Sequence, residues 1–172
     1  MERLTTNSKT TIRRAEHEDS QTMLGIINNT KCENSVLKKT LAQLQDNTYF
    51  VAEAENKIVG TVGFKVWSDG LIEIISLVVS PECRGQGVGT KLVLHSIEEI
   101  KRRNIFFKRD KTKYTKIFAL TTTPQLFEKL NFKKAEITSF PDKIMCDCLK
   151  CPRNAGGPSS PLCNEVALSF DV

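Results

Sequence analysis

The sequence predicts an α/β (α+β) protein, and three observations carry that prediction. Leu71 to Val79, LIEIISLVV, is an almost unbroken apolar and β-branched run, as expected of a strand covered on both faces. The stretch after it, PECRGQGVGT, places glycines at 85, 87 and 89 and leads into KLVLHSIEEIKRR, where Leu92, Leu94, Ile97 and Ile100 form a helical stripe. Strand-like and helix-like segments alternate along most of the chain with few long loops. At 172 residues, 40% hydrophobic and 26% charged, the chain has the size and balance of one globular domain with its own core.

The elements follow in order. Thr10 to Arg14 reads as a first strand, and Asp19-Ser20 offers a helix cap before TMLGIINNT, with Met23, Ile26 and Ile27 on one face. Asn34-Ser35 offers a second cap before VLKKTLAQLQ, in which Val36, Leu37, Leu41 and Leu44 recur at helical spacing. Tyr49 to Ala54 and Ile58 to Trp67 flank the polar turn Glu55-Asn56-Lys57, which signals a hairpin. Ser68-Asp69-Gly70 is a further tight turn into the apolar run. Beyond the long helix, Lys116 to Leu120 is a short strand, Pro124 opens the helix PQLFEKL, and Phe132 to Ile137 closes the sheet. The predicted order is β-α-α-β-β-β-α-β-α-β.

Charge and leader signals narrow the function classes. The net charge is +5, yet residues 101–116 alone hold eight Lys or Arg against one Asp, so the remainder is net acidic. The basicity therefore belongs to one segment, read as a solvated loop. Its interleaved Phe106, Phe107 and Tyr114 leave two other uses open, stacking on nucleic-acid bases or attraction of an acidic substrate or phosphate. No apolar run is long enough to span a membrane, and MERLTTNSKTT has no hydrophobic leader, which points to the cytoplasm.

A strand, a glycine-rich turn and a helix start form an anion-binding device, because glycines let backbone N–H groups approach a ligand and the helix adds its dipole. No Lys-Ser/Thr closes the loop as a Walker A would, and the glycines do not fit the dinucleotide fingerprint. What fits is Arg84-x-x-Gly87-x-Gly89. This resembles the pyrophosphate loop of the GCN5-related N-acetyltransferase (GNAT) family, Gln/Arg-x-x-Gly-x-Gly/Ala, and the element order over residues 10 to 137 is similar as well. The resemblance implies a GNAT-like mixed, mostly antiparallel central sheet flanked by helices, in a single domain with a Cys-rich C-terminal tail. It divides the chain into a flexible N-terminus (1–9), an N-acetyltransferase domain (10–140) and a Cys-rich extension (141–172) packed on or near that domain.

Glu73 is the one charge inside the apolar run. A carboxylate in a central strand is costly to bury unless paired or protonated, and burial makes it a better proton acceptor, which suits a general base. A solvated position near the strand's open end is the alternative. The resemblance favours the base, since many relatives carry a Glu at this offset before the loop. It further implies acetyl-coenzyme A as co-substrate, its pantetheine arm along Leu77, Val78 and Val79 and its pyrophosphate on Arg84, Gly85, Gln86, Gly87, Val88, Gly89 and Thr90. Ser76 could touch substrate or hydrogen-bond a neighbouring strand.

One departure is chemical. Phe127 stands where many relatives place a Tyr that protonates the leaving thiolate, so water or another group must serve. A Phe there resembles bacterial amino-acid N-acetyltransferases of the N-acetylglutamate synthase type. So do Leu120-Thr121-Thr122, Pro141-Asp142-Lys143-Ile144, Asp147-Cys148-Leu149-Lys150-Cys151-Pro152 and Cys163-Asn164-Glu165-Val166-Ala167, although Met145 stands where Trp is expected. The implied acceptor is the α-amino group of an amino acid, glutamate first, a reaction of arginine biosynthesis. Its two carboxylates would need fixed cations, for which Arg13, Arg14 and Lys65 are the candidates, each equally readable as a solvent-facing strand charge. A protein or polyamine acceptor, or a non-catalytic acyl-coenzyme A or nucleic-acid-binding role, is the alternative class. Cys32 and Cys83 are isolated, whereas Cys146, Cys148, Cys151 and Cys163 are either four thiolates for zinc or free thiols in a packed tail. No metal is assigned to the site.

Overall fold

The computed structural model describes residues 10–29, 39–45, 48–67, 70–107, 116–151 and 163–172, with side chains 104–107 excepted. Several expectations lie outside the described residues: the N-terminal 1–9, the Asn34-Ser35 cap and Cys32, the Ser68-Asp69 turn, the stacking residues Phe106, Phe107 and Tyr114, and the spacer 152–162. Seven strands follow the hydrogen-bonded order β1-β2-β3-β4-β5-β7-β6: β1 Thr11–Arg14, β2 Thr48–Ala54, β3 Lys57–Val66, β4 Leu71–Val79, β5 Lys116–Thr121, β6 Lys133–Lys134 and β7 Val166–Asp171. The helices are α1 Ser20–Asn28, α2 Leu41–Gln45, α3 Val88–Phe107, α4 Pro124–Glu128 and α5 Pro141–Cys146. Among the described pairings, β4 with β5 is parallel and β1 with β2, β2 with β3, β5 with β7 and β6 with β7 are antiparallel. The α/β class and the mixed, mostly antiparallel sheet are as the sequence predicts. No helix among the described residues is long and apolar enough to cross a membrane.

The chain divides into two compact units, and the cut falls inside β4, between Glu73 and Ile74. The first unit runs to Lys65 and resumes over Ile74–Arg103. Its hairpin turns at Glu55 and Asn56, both with φ in the left-handed region (50° and 59°), the geometry that matches the twist of paired strands. Met23, Ile27, Leu44, Tyr49, Val51 and Val78 form its core, with Ile26 packed against it, so the predicted face of the first helix is the buried one. Of the second, Leu44 is buried and Leu41 half-buried, and Val36 and Leu37 lie outside the described residues. In α3, Leu92, Ile97 and Ile100 are buried as the predicted stripe requires, whereas Leu94 is exposed and Val93 takes its place. The described end of the basic segment is locally paired: Glu99 accepts from Arg102 at 2.7 Å and from Arg103 at 3.1 Å. The Arg102 pairing, against a smaller cost of burial, holds the Glu99 carboxyl down at about 2.

The second unit contains Val66–Glu73 and the described residues from Asn104 onward. Here β4 pairs with β5 over Leu71↔Lys116, Ile72↔Ile117 and Glu73↔Phe118. The predicted closing strand Phe132 to Ile137 is reduced to Lys133–Lys134 and gives way to a tight helical turn at Ile137–Ser139. Instead β7 enters between β5 and β6, pairing with β5 over six residues from Lys116↔Asp171 to Thr121↔Val166. The C-terminal residues thus complete the sheet.

One ion-pair cluster fixes the start of the chain. The Arg13 guanidinium donates to both oxygens of Asp19, at 2.7 and 3.0 Å, and to Glu53 at 2.9 Å. Asp19 also accepts the Glu16 backbone N–H at 2.7 Å, so it closes the turn before α1 without capping the helix through its side chain. The Arg13 hydrogen bonds hold the Asp19 carboxyl below its ordinary range despite burial. A depressed carboxyl contributes stability that is present above its unfolded pKa and lost as pH falls through its folded one. Asp19→Asn is expected to cost on the order of 2 kcal/mol at neutral pH, and its deficit against wild type should shrink below about pH 4, as read by urea titrations at both values.

Candidate active site

The glycine-rich turn forms as the strand-turn-helix pattern requires. Arg84 Nε donates to the Val79 carbonyl at 2.9 Å, folding the loop back onto the end of β4. Gly85 and Gly87 have φ of 74° and 78°, and a Cβ at either would meet no atom within 4 Å. The left-handed backbone explains why glycine stands there, and the open space is what a phosphate needs. Val88, buried, anchors the first turn of α3, a 20-residue helix whose leading N–H groups have no intrahelical acceptor. Within β4, Val78 is buried while Leu77 and Val79 are half-exposed, and the parallel register with β5 is confined to Leu71–Glu73 among the described residues.

Ser76 departs from regular strand geometry. Its φ of 51° puts a non-glycine residue in the left-handed region, which costs roughly 1–3 kcal/mol and concentrates at functional sites. Its buried hydroxyl lies 3.4 Å from the Tyr49 hydroxyl. Tyr49 stands opposite Gly63 across the hairpin, and a Cβ on Gly63 would come within 2.6 Å of the Tyr49 ring. Glycine at 63 therefore lets the ring lie on the backbone and turn its hydroxyl to Ser76. Tyr49 also lines a pocket of about 210 Å³ together with Arg14, Glu16, His17, Ser20 and Thr48 among others. Of the predicted substrate cations, Arg14 lines this pocket, Arg13 is engaged by Asp19 and Glu53, and Lys65 is half-buried on β3 outside the pocket wall.

In the second unit, Glu73 is 3% exposed, so the solvated alternative does not hold. Its charge is paired on both oxygens: Trp67 Nε1 donates to Oε2 at 3.0 Å, and Lys143 Nζ lies 2.8 Å from Oε1. Lys143 also donates to Asp147 at 2.9 Å, one helical turn further along. Burial opposes the charge on the Lys143 ammonium, but the Glu73 and Asp147 carboxylates outweigh it and raise its pKa. What brings Lys143 here is aromatic packing. Phe140 stacks on Phe118 at 4.0 Å, and Phe118 is the register partner of Glu73. The sequence reading missed Tyr49, Trp67, Lys143 and Asp147 as site residues; the one signal available was a lone tryptophan a few positions before a buried glutamate.

Phe127 is buried edge-on against Phe132, 5.2 Å between ring centres, and has no group to donate a proton. Cys83, Cys146, Cys148, Cys151 and Cys163 are free thiols, and burial pushes Cys148 up to about 11. Among the described residues no three His, Cys, Asp or Glu side chains come together to hold a metal ion.

Comparison with known proteins places these features in context. The model of the acetyltransferase (GNAT) family matches residues 13–114. An uncharacterised N-acetyltransferase of Chlorobaculum tepidum is 26% identical over 161 residues, 92% of this chain and 94% of the relative. Among solved structures, N-acetylglutamate synthase from Neisseria gonorrhoeae complexed with coenzyme A and N-acetyl-glutamate superposes with a TM-score of 0.74 at 22% identity. The match covers 96% of this chain but only 35% of that protein, so the chain spans about a third of the synthase's length. The ribosomal-protein-S18-alanine N-acetyltransferase of Escherichia coli gives a TM-score of 0.65 at 15% identity, covering 95% of this chain and 94% of that one.

Two outcomes test the geometry. Gly87→Val should weaken coenzyme A binding by tenfold or more while the fold survives, since the side chain fills open space and strains the backbone; calorimetry on the folded variant reads it. Lys143→Met strands a buried carboxylate and is expected to cost about 3–5 kcal/mol, whereas removing Glu73 as well should recover much of that loss. A denaturation double-mutant cycle measures the difference.

Proposed function

We propose the α-amino group of an amino acid, glutamate first, as the acceptor for a chain that belongs to the acetyltransferase (GNAT) family and takes its acetyl group from acetyl-coenzyme A. The observation that carries this reading is the pocket in the first unit, where Arg14 stands on a wall shared with Tyr49. A pocket of about 210 Å³ suits a small acceptor, and one guanidinium on its wall suits a carboxylate. The likeness to an N-acetylglutamate synthase fold supports the same choice.

The proposed roles follow β4. The turn from Arg84 to Thr90 cradles the pyrophosphate, and the main chain of Leu77, Val78 and Val79 aligns the pantetheine arm. Glu73 accepts a proton from the acceptor nitrogen as that nitrogen attacks the thioester carbonyl; the C–S bond breaks and sulfur leaves as a thiolate. With Phe127 unable to donate, water protonates the thiolate. Lys65 and Arg13 are given no part in holding the substrate, because Arg13 is already held by two carboxylates and Lys65 does not line the pocket.

Steady-state assays over free amino acids, polyamines and lysine-containing peptides test the acceptor. Glutamate should be acetylated, and Arg14→Gln should raise its KM by about tenfold or more, roughly 1.4 kcal/mol per power of ten, with coenzyme affinity unchanged. Acetylation of peptides or polyamines with no turnover of any free amino acid would overturn the assignment.

A further inference from the structure

We infer that Lys143 is a positioning residue for the reaction: with Trp67 it fixes the charge and orientation of Glu73 as the proton acceptor. The inference rests on the reading of Glu73 as the base. Four observations within the second unit carry it. The Glu73 carboxylate is almost wholly buried, and each of its oxygens meets a donor at 3.0 Å or less. The donors come from separate parts of the chain, Trp67 beyond the end of β3 and Lys143 on α5. Lys143 is itself held from a second side by Asp147 and lies 5.9 Å from the centre of the Trp67 ring. Finally, the stack of Phe140 on Phe118 fixes the start of α5 against the residue that pairs with Glu73.

A buried carboxylate clamped in this way is held in one orientation by a donor on each oxygen. An ammonium at 2.8 Å holds one oxygen by a charge-assisted contact, and an indole N–H locks the other without adding charge. Among the described residues, the titratable groups acting on the pair are Lys143 on α5, Asp147 just past its end and Cys148 in the turn that follows, with Cys163 and Glu165 acting on Cys148. Lys143 is the only cation of this set. Asp147 shares that cation with Glu73, so the pair is held by a second carboxylate at the C-terminal cap of α5.

The experiment is the pH dependence of kcat/KM for the intact chain, with coenzyme A affinity and melting temperature measured on every variant. Glu73→Gln should abolish the acidic limb. Lys143→Met should move that limb to higher pH by about one to three units, with turnover partly recovered on the alkaline side, whereas Lys143→Arg should leave it near its wild-type position. Coenzyme A affinity should stay within threefold throughout. If Lys143→Met fails to fold, Trp67→Phe reads the same clamp: losing the N–H while keeping a ring should move the limb in the same direction by a smaller amount. An acidic limb unmoved in folded Lys143→Met, or unmoved in Trp67→Phe where the first does not fold, overturns the inference and leaves Glu73 as the base. Wild-type turnover with an intact limb in Glu73→Gln overturns the base reading itself, and Lys143 is then purely structural.

Discussion

The arrangement of the second unit depends on one constraint, a carboxylate placed in a central strand. Glu73 sits between Ile72 and Ile74, both buried, and is itself only 3% exposed. An isolated charge there would be untenable, so the rest of the unit must supply partners. The partners it supplies are an indole from one side and an ammonium from the other. Apolar residues of similar volume would give equal or greater stability more simply. The pairing of buried Glu73 with Lys143, which Asp147 holds from a partly exposed position, therefore adds no stability that apolar packing could not supply.

That constraint also accounts for the C-terminal residues. Lys143 can reach Glu73 only if α5 is held against the sheet, and the Phe140–Phe118 stack does this. β7 then pairs with β5 along its whole length, burying Ala167 beside Phe118 and Phe140. Packing, pairing and charge compensation converge on β5, the strand that lies parallel to Leu71–Glu73.

Most of the sheet was legible because its strands announce themselves locally. Leu71–Val79 has the bounds that its apolar run suggests, and the Glu55-Asn56 turn has the left-handed backbone that its residues favour. The glycine-rich turn was equally legible, since positive φ at Gly85 and Gly87 is a property glycine alone carries cheaply. β7 was not, because VALSFD is short, alternates weakly and follows a Gly-, Pro- and Ser-rich spacer, so its strand state is set by pairing with β5. The same holds for the clamp. Lys143 and Trp67 lie 76 positions apart in sequence, and no periodicity links an ammonium on a short helix to a carboxylate on a strand. Ser76 also escaped, since serine does not advertise a left-handed φ.

The two arginines at the end of β1 show how strand geometry divides roles that composition leaves equal. Arg13 and Arg14 are neighbours in sequence with the same charge, and successive side chains on a strand point to opposite faces. One face brings Arg13 diagonally against Glu53 of β2 and down onto Asp19, where three hydrogen bonds to carboxylates use up its planar fork. The other face puts Arg14 on the wall of the pocket that ends at Tyr49. A guanidinium already bound to two carboxylates has little left to offer a third, so a carboxylate-bearing acceptor would be sorted to the Arg14 side by the alternation of the strand alone. Tyr49 then ties that pocket to β4 through Ser76, at the point where the strand leaves regular geometry. The pocket wall, the left-handed residue and the glycine-rich turn thus lie within a single unit, and the last two rest on backbone conformation that a short stretch of sequence enforces.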